Sequence, residues 1–163
     1  MLASEGGSKT AILNGTLHHI GVATQNALLD SKEWQLTFGL TVVSDLIYDP
    51  IQKVRVLLLS DGKKDGTLLE LVEPASEDSP VGTFLKTKSR FYHVCYEVDD
   101  LEGALRHVRA QGALVIKQPV SAVAYAGRRI AWCYTRTKNL VELLERGVPS
   151  REIGDLGRAD GEK

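Results

Sequence analysis

Between residues 16 and 145 the apolar positions fall into short runs of period two, interrupted twice by stretches of helical period. Leu17-His18-His19-Ile20-Gly21-Val22-Ala23 reads as a strand, and so does Phe91-Tyr92-His93-Val94-Cys95-Tyr96-Glu97-Val98. After the first, Asn26 is placed to cap a helix that runs to Phe38, with Trp34 and Phe38 one turn apart and Gly39 at its end. After the second, Asp99 is placed to cap a helix over 100–111, with Glu102 three residues on as in a capping box and Gly112 as the stop. Leu101, Leu105 and Val108 give that helix one apolar face. Strands are predicted over 40–48, 53–60 and 67–72 in the first half, and over 113–117, 128–134 and 140–144 in the second.

The two halves repeat each other. His19 and His93 stand 74 residues apart, and the glycines that end the two helices keep nearly the same spacing. The last strands carry almost one phrase, Leu69-Glu70-Leu71-Val72-Glu73 against Val141-Glu142-Leu143-Leu144-Glu145, with Glu70 and Glu142 72 residues apart. The reading is an internal duplication of a βαβββ module. The expected fold is α+β, two such modules forming one curved mixed sheet around a central cavity. Module one covers 16–74 and module two 90–146, and together they make a single domain over 16–146. Ser79-Pro80 opens a linker helix over 78–88, serine as cap and proline at the first helical position. Residues 1–15 and 147–163, rich in Gly and charged side chains, are expected to be polar tails.

Composition narrows the function classes only a little. The net charge is −1, and the Lys and Arg are scattered rather than gathered in a basic stripe, so no nucleic-acid partner is expected. No apolar run approaches the length that spans a bilayer, and residues 1–10 lack a secretory pattern, so no membrane partner and a cytoplasmic location are expected. Cys95 and Cys133 both sit in strand-like apolar runs. Buried free thiols are the expectation, with a disulfide between them as the alternative.

The repeat bears on chemistry through His19, Glu70, His93 and Glu142. A Glu inside a Leu/Val strand is rare, because a buried carboxylate without a partner is costly. Here two His and two Glu occupy equivalent positions in two modules, and a twofold relation would bring all four to one place. Alternation puts Leu68, Glu70 and Val72 on one face, and Leu140, Glu142 and Leu144 on the matching face. Glu73 and Glu145 then point away and read as solvent-facing, and His18 faces opposite to His19, either exposed or supporting a ligand from behind. Two imidazoles and two carboxylates suit one divalent ion such as Co, Zn, Ni, Mn or Fe, with positions open for substrate. A polar binding pocket without metal is the alternative. Tyr48, Tyr92, Trp132, Cys95 and Cys133 are candidate cavity residues.

These residues resemble the vicinal oxygen chelate superfamily, which includes glyoxalase I, extradiol dioxygenases and bleomycin resistance proteins. The resemblance covers about residues 16–145. Within the superfamily the chain is similar to the methylmalonyl-CoA epimerases, in its opening strand, in Glu70-Leu71-Val72-Glu73-Pro74, in Asp78-Ser79-Pro80-Val81 and in Tyr92-His93-Val94. The resemblance implies a metal held by His19, Glu70, His93 and Glu142. It also implies that Glu142 moves a substrate proton, in an isomerase that enolises an acyl-CoA or another carboxylate-bearing carbonyl compound. A homodimer is implied in the same way. Two departures stand out. Some epimerases take a second carboxylate from the third strand of the first module, where this chain reads Lys53-Val54-Arg55-Val56-Leu57. Tyr125-Ala126-Gly127-Arg128-Arg129 replaces a loop that is Gly-His-Gly-Lys-like in those proteins. Arg128 and Arg129 are the candidate substrate contacts, with solvated strand-edge cations as the alternative. A glyoxalase I-like lyase, an extradiol-type dioxygenase and a non-catalytic binding protein are the competing functions.

Overall fold

The computed structural model describes residues 13–147. The expected tails lie almost wholly outside the described residues. The first module runs β1 (Gly15–Ala23), α1 (Ala27–Phe38), β2 (Thr41–Val42), β3 (Ile47–Asp49), β4 (Val54–Ser60) and β5 (Leu68–Pro74). A short α2 (Pro80–Phe84) follows. The second module runs β6 (Phe91–Val98), α3 (Leu101–Ala110), β7 (Leu114–Ser121), β8 (Arg129–Tyr134) and β9 (Leu140–Glu145). All nine strands join one mixed sheet in the order β2-β4-β5-β1-β6-β9-β8-β7, with β3 also paired to β4. The order is the same read inward from either edge: outer strand, penultimate strand, last strand, first strand. The expected α+β sheet of two repeated modules is thus the observed one, and β1 and β6 join the modules antiparallel at its centre.

The helix ends follow from local chemistry. The Asn26 side chain accepts from Leu29 N, and Gly39 closes α1 in the left-handed region. At α3 the cap is Asp100 rather than Asp99. Its carboxylate accepts from Gly103 N at 2.9 Å, and Glu102, free of any capping box, pairs with Arg129 instead. The strand expected over 40–48 is broken in two, because the Ser44 hydroxyl takes the Leu58 N–H at 2.9 Å and interrupts the ladder.

One face of the sheet packs on α1 and α3, through Ala27, Leu57, Leu59 and Leu71 in module one and Leu101, Leu105, Ala131 and Leu143 in module two. Glu73 points to this face, as alternation requires, but it is buried rather than solvated. One of its oxygens accepts from Ala27 N at 2.7 Å, where it serves the free N–H groups and the positive end of α1. The opposite face curves around a cavity of about 790 Å³. Val54, Val56, Tyr92 and Trp132 are part of its wall, and Glu70, His93 and Glu142 reach it.

Candidate metal centre

The four central strands, β5-β1-β6-β9, each contribute one of the four residues: Glu70, His19, His93 and Glu142. Register arranges them in two rows. Gly21 of β1 is the direct neighbour of Glu70 on one side and of His93 on the other. Cys95 of β6 is the direct neighbour of His19 on one side and of Glu142 on the other. Each row therefore places a small residue between two large polar ones. A Cβ built on Gly21 would lie 2.1 Å from Cε1 and 2.2 Å from Nδ1 of His93, so the imidazole occupies the space that glycine leaves empty.

The side chains meet. His19 Nε2 lies 2.9 Å from His93 Nε2 and 3.0 Å from Glu142 Oε2. His93 Nε2 lies 3.4 Å from both Glu142 Oε2 and Glu70 Oε2, and His19 Nε2 lies 3.5 Å from Glu70 Oε2. Two ligands bonded ~2.1 Å from one ion stand ~3.0 Å apart at a right angle and ~3.4 Å apart at a tetrahedral angle. The five spacings that involve an imidazole, 2.9–3.5 Å, match those edges, His19, Glu70 and His93 forming one such group, and the donor set is one a borderline divalent ion accepts. All four residues are at most 4% exposed.

A second set of contacts orients the first. Tyr125, on the 3-10 turn Val123–Tyr125 between β7 and β8, donates to Glu70 Oε1 at 2.6 Å. Its oxygen also lies 3.1 Å from His19 Nδ1, and its ring stacks on the His19 ring. If Nδ1 carries the proton of neutral His19, Nδ1–H donates to Tyr125, Tyr125 donates to Glu70, and Nε2 keeps its lone pair for the centre. His93 Nδ1 is buried with no hydrogen-bond partner among the described residues. On the Nδ1 side Gly21 and the edge-on Trp132 ring, 4.8 Å away, position the imidazole by packing, while its Nε2 faces His19 Nε2 at 2.9 Å.

The charges are coupled. Burial opposes ionisation of His19, but the Glu70 carboxylate and the hydrogen bond to Glu142 outweigh it and raise its pKa. Burial also opposes ionisation of Glu142, yet hydrogen bonds to His19 and His93 hold its pKa well below the usual carboxylate range. Burial, with Glu70 and Glu142 nearby, pushes the Tyr125 phenol far up, so it remains a neutral donor. Cys95 is likewise pushed up by burial and the two carboxylates, which keeps it a thiol.

Residues 18–132 match the family model of the glyoxalase/bleomycin resistance protein/dioxygenase superfamily. The chain belongs to this superfamily. It is 28% identical over 138 residues to the mitochondrial methylmalonyl-CoA epimerase of Dictyostelium discoideum, covering 81% of this chain and 79% of that protein. It is 26% identical over 133 residues to the ethylmalonyl-CoA/methylmalonyl-CoA epimerase of Cereibacter sphaeroides, covering 79% and 96%. Among solved structures, the Mycobacterium tuberculosis methylmalonyl-CoA epimerase superposes with a TM-score of 0.72 at 23% identity, over 91% of this chain and 94% of that one, a likeness of fold. A Streptomyces coelicolor methylmalonyl-CoA epimerase variant in complex with 2-nitronate-propionyl-CoA gives 0.70 at 25% identity, over 82% and 95%.

Other residues singled out in this superfamily member sit elsewhere. Arg128 pairs with Glu97 at 2.5 Å and lies over the Tyr125 ring. Arg129 pairs with Glu102 and Glu145, on the sheet face that α3 covers. Neither guanidinium lines the cavity. Tyr92 and Trp132 do line it, whereas Tyr48 is exposed and both cysteines are buried and free. A register shift between Leu17 and His19 bulges β1 and turns His18 toward the same side as His19. The two Nδ1 atoms are 2.9 Å apart, and burial, with His19 beside it, lowers the His18 pKa to about 4. No helix among the described residues is long and apolar enough to cross a membrane. Gly21 and Tyr125 are the site residues that sequence reasoning missed. The spacing His-x-Gly in β1 against His-x-Cys in β6 was the available signal for Gly21.

Proposed function

We propose that this protein is a metal-dependent isomerase of the epimerase type, acting on acyl-CoA thioesters that carry an acidic C–H beside a carbonyl. The observation that carries the reading is the meeting of His19, His93, Glu70 and Glu142 at ligand-to-ligand spacing beside the cavity. The epimerase names of its relatives support the substrate class. A divalent ion, Co, Zn, Ni, Mn or Fe, held by those four residues would act as a Lewis acid on the substrate carbonyl and make the adjacent C–H more acidic. Glu142 is the group assigned to move the substrate proton on one face, as the resemblance to the epimerases implies, and inversion takes a second group that returns a proton on the opposite face. Tyr92 and Trp132 give the pocket an apolar wall that limits water at the exchanging carbon. Tyr125 holds Glu70 and His19 in place. Arg128 and Arg129 act on substrate in this reading only by leaving their carboxylate partners. A homodimer and a cytoplasmic location complete the reading.

The test is direct. Protein purified without chelator should carry close to one divalent ion per chain. Stripped protein should regain activity with Co or a related ion and then exchange the α-proton of methylmalonyl-CoA with solvent deuterium, followed by NMR. Metal-loaded protein that exchanges no α-proton would remove the reading. A second reading has one observation in its favour: the residues of β4 that line the cavity are Val54 and Val56, so β4 supplies no acid there. One carboxylate that both removes and returns a proton fits a glyoxalase-like reaction on a thiol adduct, and disappearance of a hemithioacetal would show it.

Tyr125→Phe tests the second set of contacts. It keeps the ring stacked on His19 but removes the donor to Glu70 Oε1. Partners that orient a ligand are worth roughly 10–100-fold in metal affinity or activity. Metal affinity should fall by about that factor, measured by competition with a chromophoric chelator, while the far-UV spectrum is unchanged. An unaltered affinity would deny Tyr125 this role.

A further inference from the structure

We propose that Lys117, with the side-chain amide of Gln52, is the anion seat of the cavity, receiving a carboxylate or phosphate oxygen of the substrate. Strict alternation would turn Lys117 away, because Val115 packs toward α3. A register shift between Val115 and Lys117 adds a residue to β7 and brings Lys117 opposite Trp132, on the cavity side. Trp132 is in turn opposite Glu142. Lys117 and Glu142 thus lie on one row two strand spacings apart, about 10 Å between backbones, a span that suits a substrate gripped at both ends.

The ammonium is poorly matched by its own surroundings. Lys117 is partly buried, and no carboxylate lies within salt-bridge distance of it among the described residues. Among the described residues it makes one hydrogen bond, to Gln52 Oε1 at 2.8 Å. The nearby Asp49 is already engaged, accepting from Ile51 N and Gln52 N with one oxygen and from Val123 N with the other. Lys53, the other cation at this corner, is held by Asp78. Gln52 lines the cavity too, and its Nε2 is buried without an acceptor among the described residues. A buried N–H left unpaired beside an ammonium with no carboxylate partner is costly, and an anionic ligand that accepts from both would relieve it. Burial lowers the Lys117 pKa, Asp49 opposing and Lys53 assisting, as expected of a cation awaiting a counter-charge.

The proposal rests on reading the cavity as a substrate pocket, and its test reads binding rather than turnover. Calorimetric titration of the metal-loaded protein would use two probes, free methylmalonate, which has carboxylates and no carrier, and coenzyme A, which has phosphates and no acyl carboxylate. Lys117→Met should weaken at least one probe by ~10-fold or more, and Lys117→Arg should restore most of that loss. Melting temperature and metal content should stay at the wild-type values in both variants. Loss confined to methylmalonate assigns the seat to the acyl carboxylate, and loss confined to coenzyme A assigns it to the carrier's phosphate. Equal binding by wild type and Lys117→Met, or no binding of either probe by the wild type, overturns the proposal. An effect of Lys117 in a protein that fails the deuterium-exchange test would leave the anion seat standing and the isomerase reading fallen.

Discussion

Glu142→Gln should lower turnover by ~10³-fold or more per bound metal, through loss of a general base worth roughly 10²–10⁴. Glutamine keeps the shape and one carbonyl oxygen, so the change isolates the charge and the proton-accepting oxygen. Glu142 is 3% exposed and lies 3.0 Å from His19 and 3.4 Å from His93. Its repeat partner Glu70 lies at nearly the same distances from the two imidazoles but spends its other oxygen on the Tyr125 hydroxyl. Glu70→Gln is therefore the matched comparison. Both changes should weaken metal binding, and only Glu142→Gln should also depress α-proton exchange once rates are divided by metal content. Equal losses in the two variants would show that Glu142 acts as a ligand and nothing more.

Gly21→Ala should abolish metal binding at micromolar metal while leaving the fold intact. The added methyl would sit 2.1–2.8 Å from three atoms of the His93 ring, closer than any real contact. His93 is 1% exposed and has no hydrogen bond at Nδ1 among the described residues, so on that side of the ring only packing resists displacement. The strand itself gains: alanine in a β-strand loses less backbone entropy than glycine, by about 0.5–1 kcal/mol. The expected result is a folded protein with near-wild-type melting temperature that no divalent ion stabilises further. A Gly21→Ala protein that still binds one ion tightly would mean that His93 is not a ligand. Cys95→Ala, the corresponding change in module two, removes volume rather than adding it and should retain the metal.

Much of this architecture was legible along the chain. Asn26 and Gly39 bound α1 as their side-chain and backbone preferences require, because caps act within a few residues. The repeat of His19 and Glu70 in His93 and Glu142 singled out four residues, and the duplication accounts for their meeting: equivalent positions in two modules fall on four adjacent strands. Glu73 was harder. Alternation put it on the correct face, but only packing decided that α1's N-terminus, rather than water, would cover it.

The misses share one cause. His18 is itself the extra residue of one register shift and Lys117 follows another, and a bulge of one residue changes the face that the side chains around it take. Tyr125 lies in a loop with no periodicity, and its partners are 55 and 106 residues away. The need for a small side chain at Gly21 arises from Glu70 and His93, which flank it only because β5 and β6 both pair with β1. Period, caps and repeats express interactions between near neighbours, so the module, its helix ends and its four polar core residues can be read from the chain alone. Register, bulges and the contacts that orient a ligand depend on strands far apart in sequence, and those were decided when the two modules closed into one sheet.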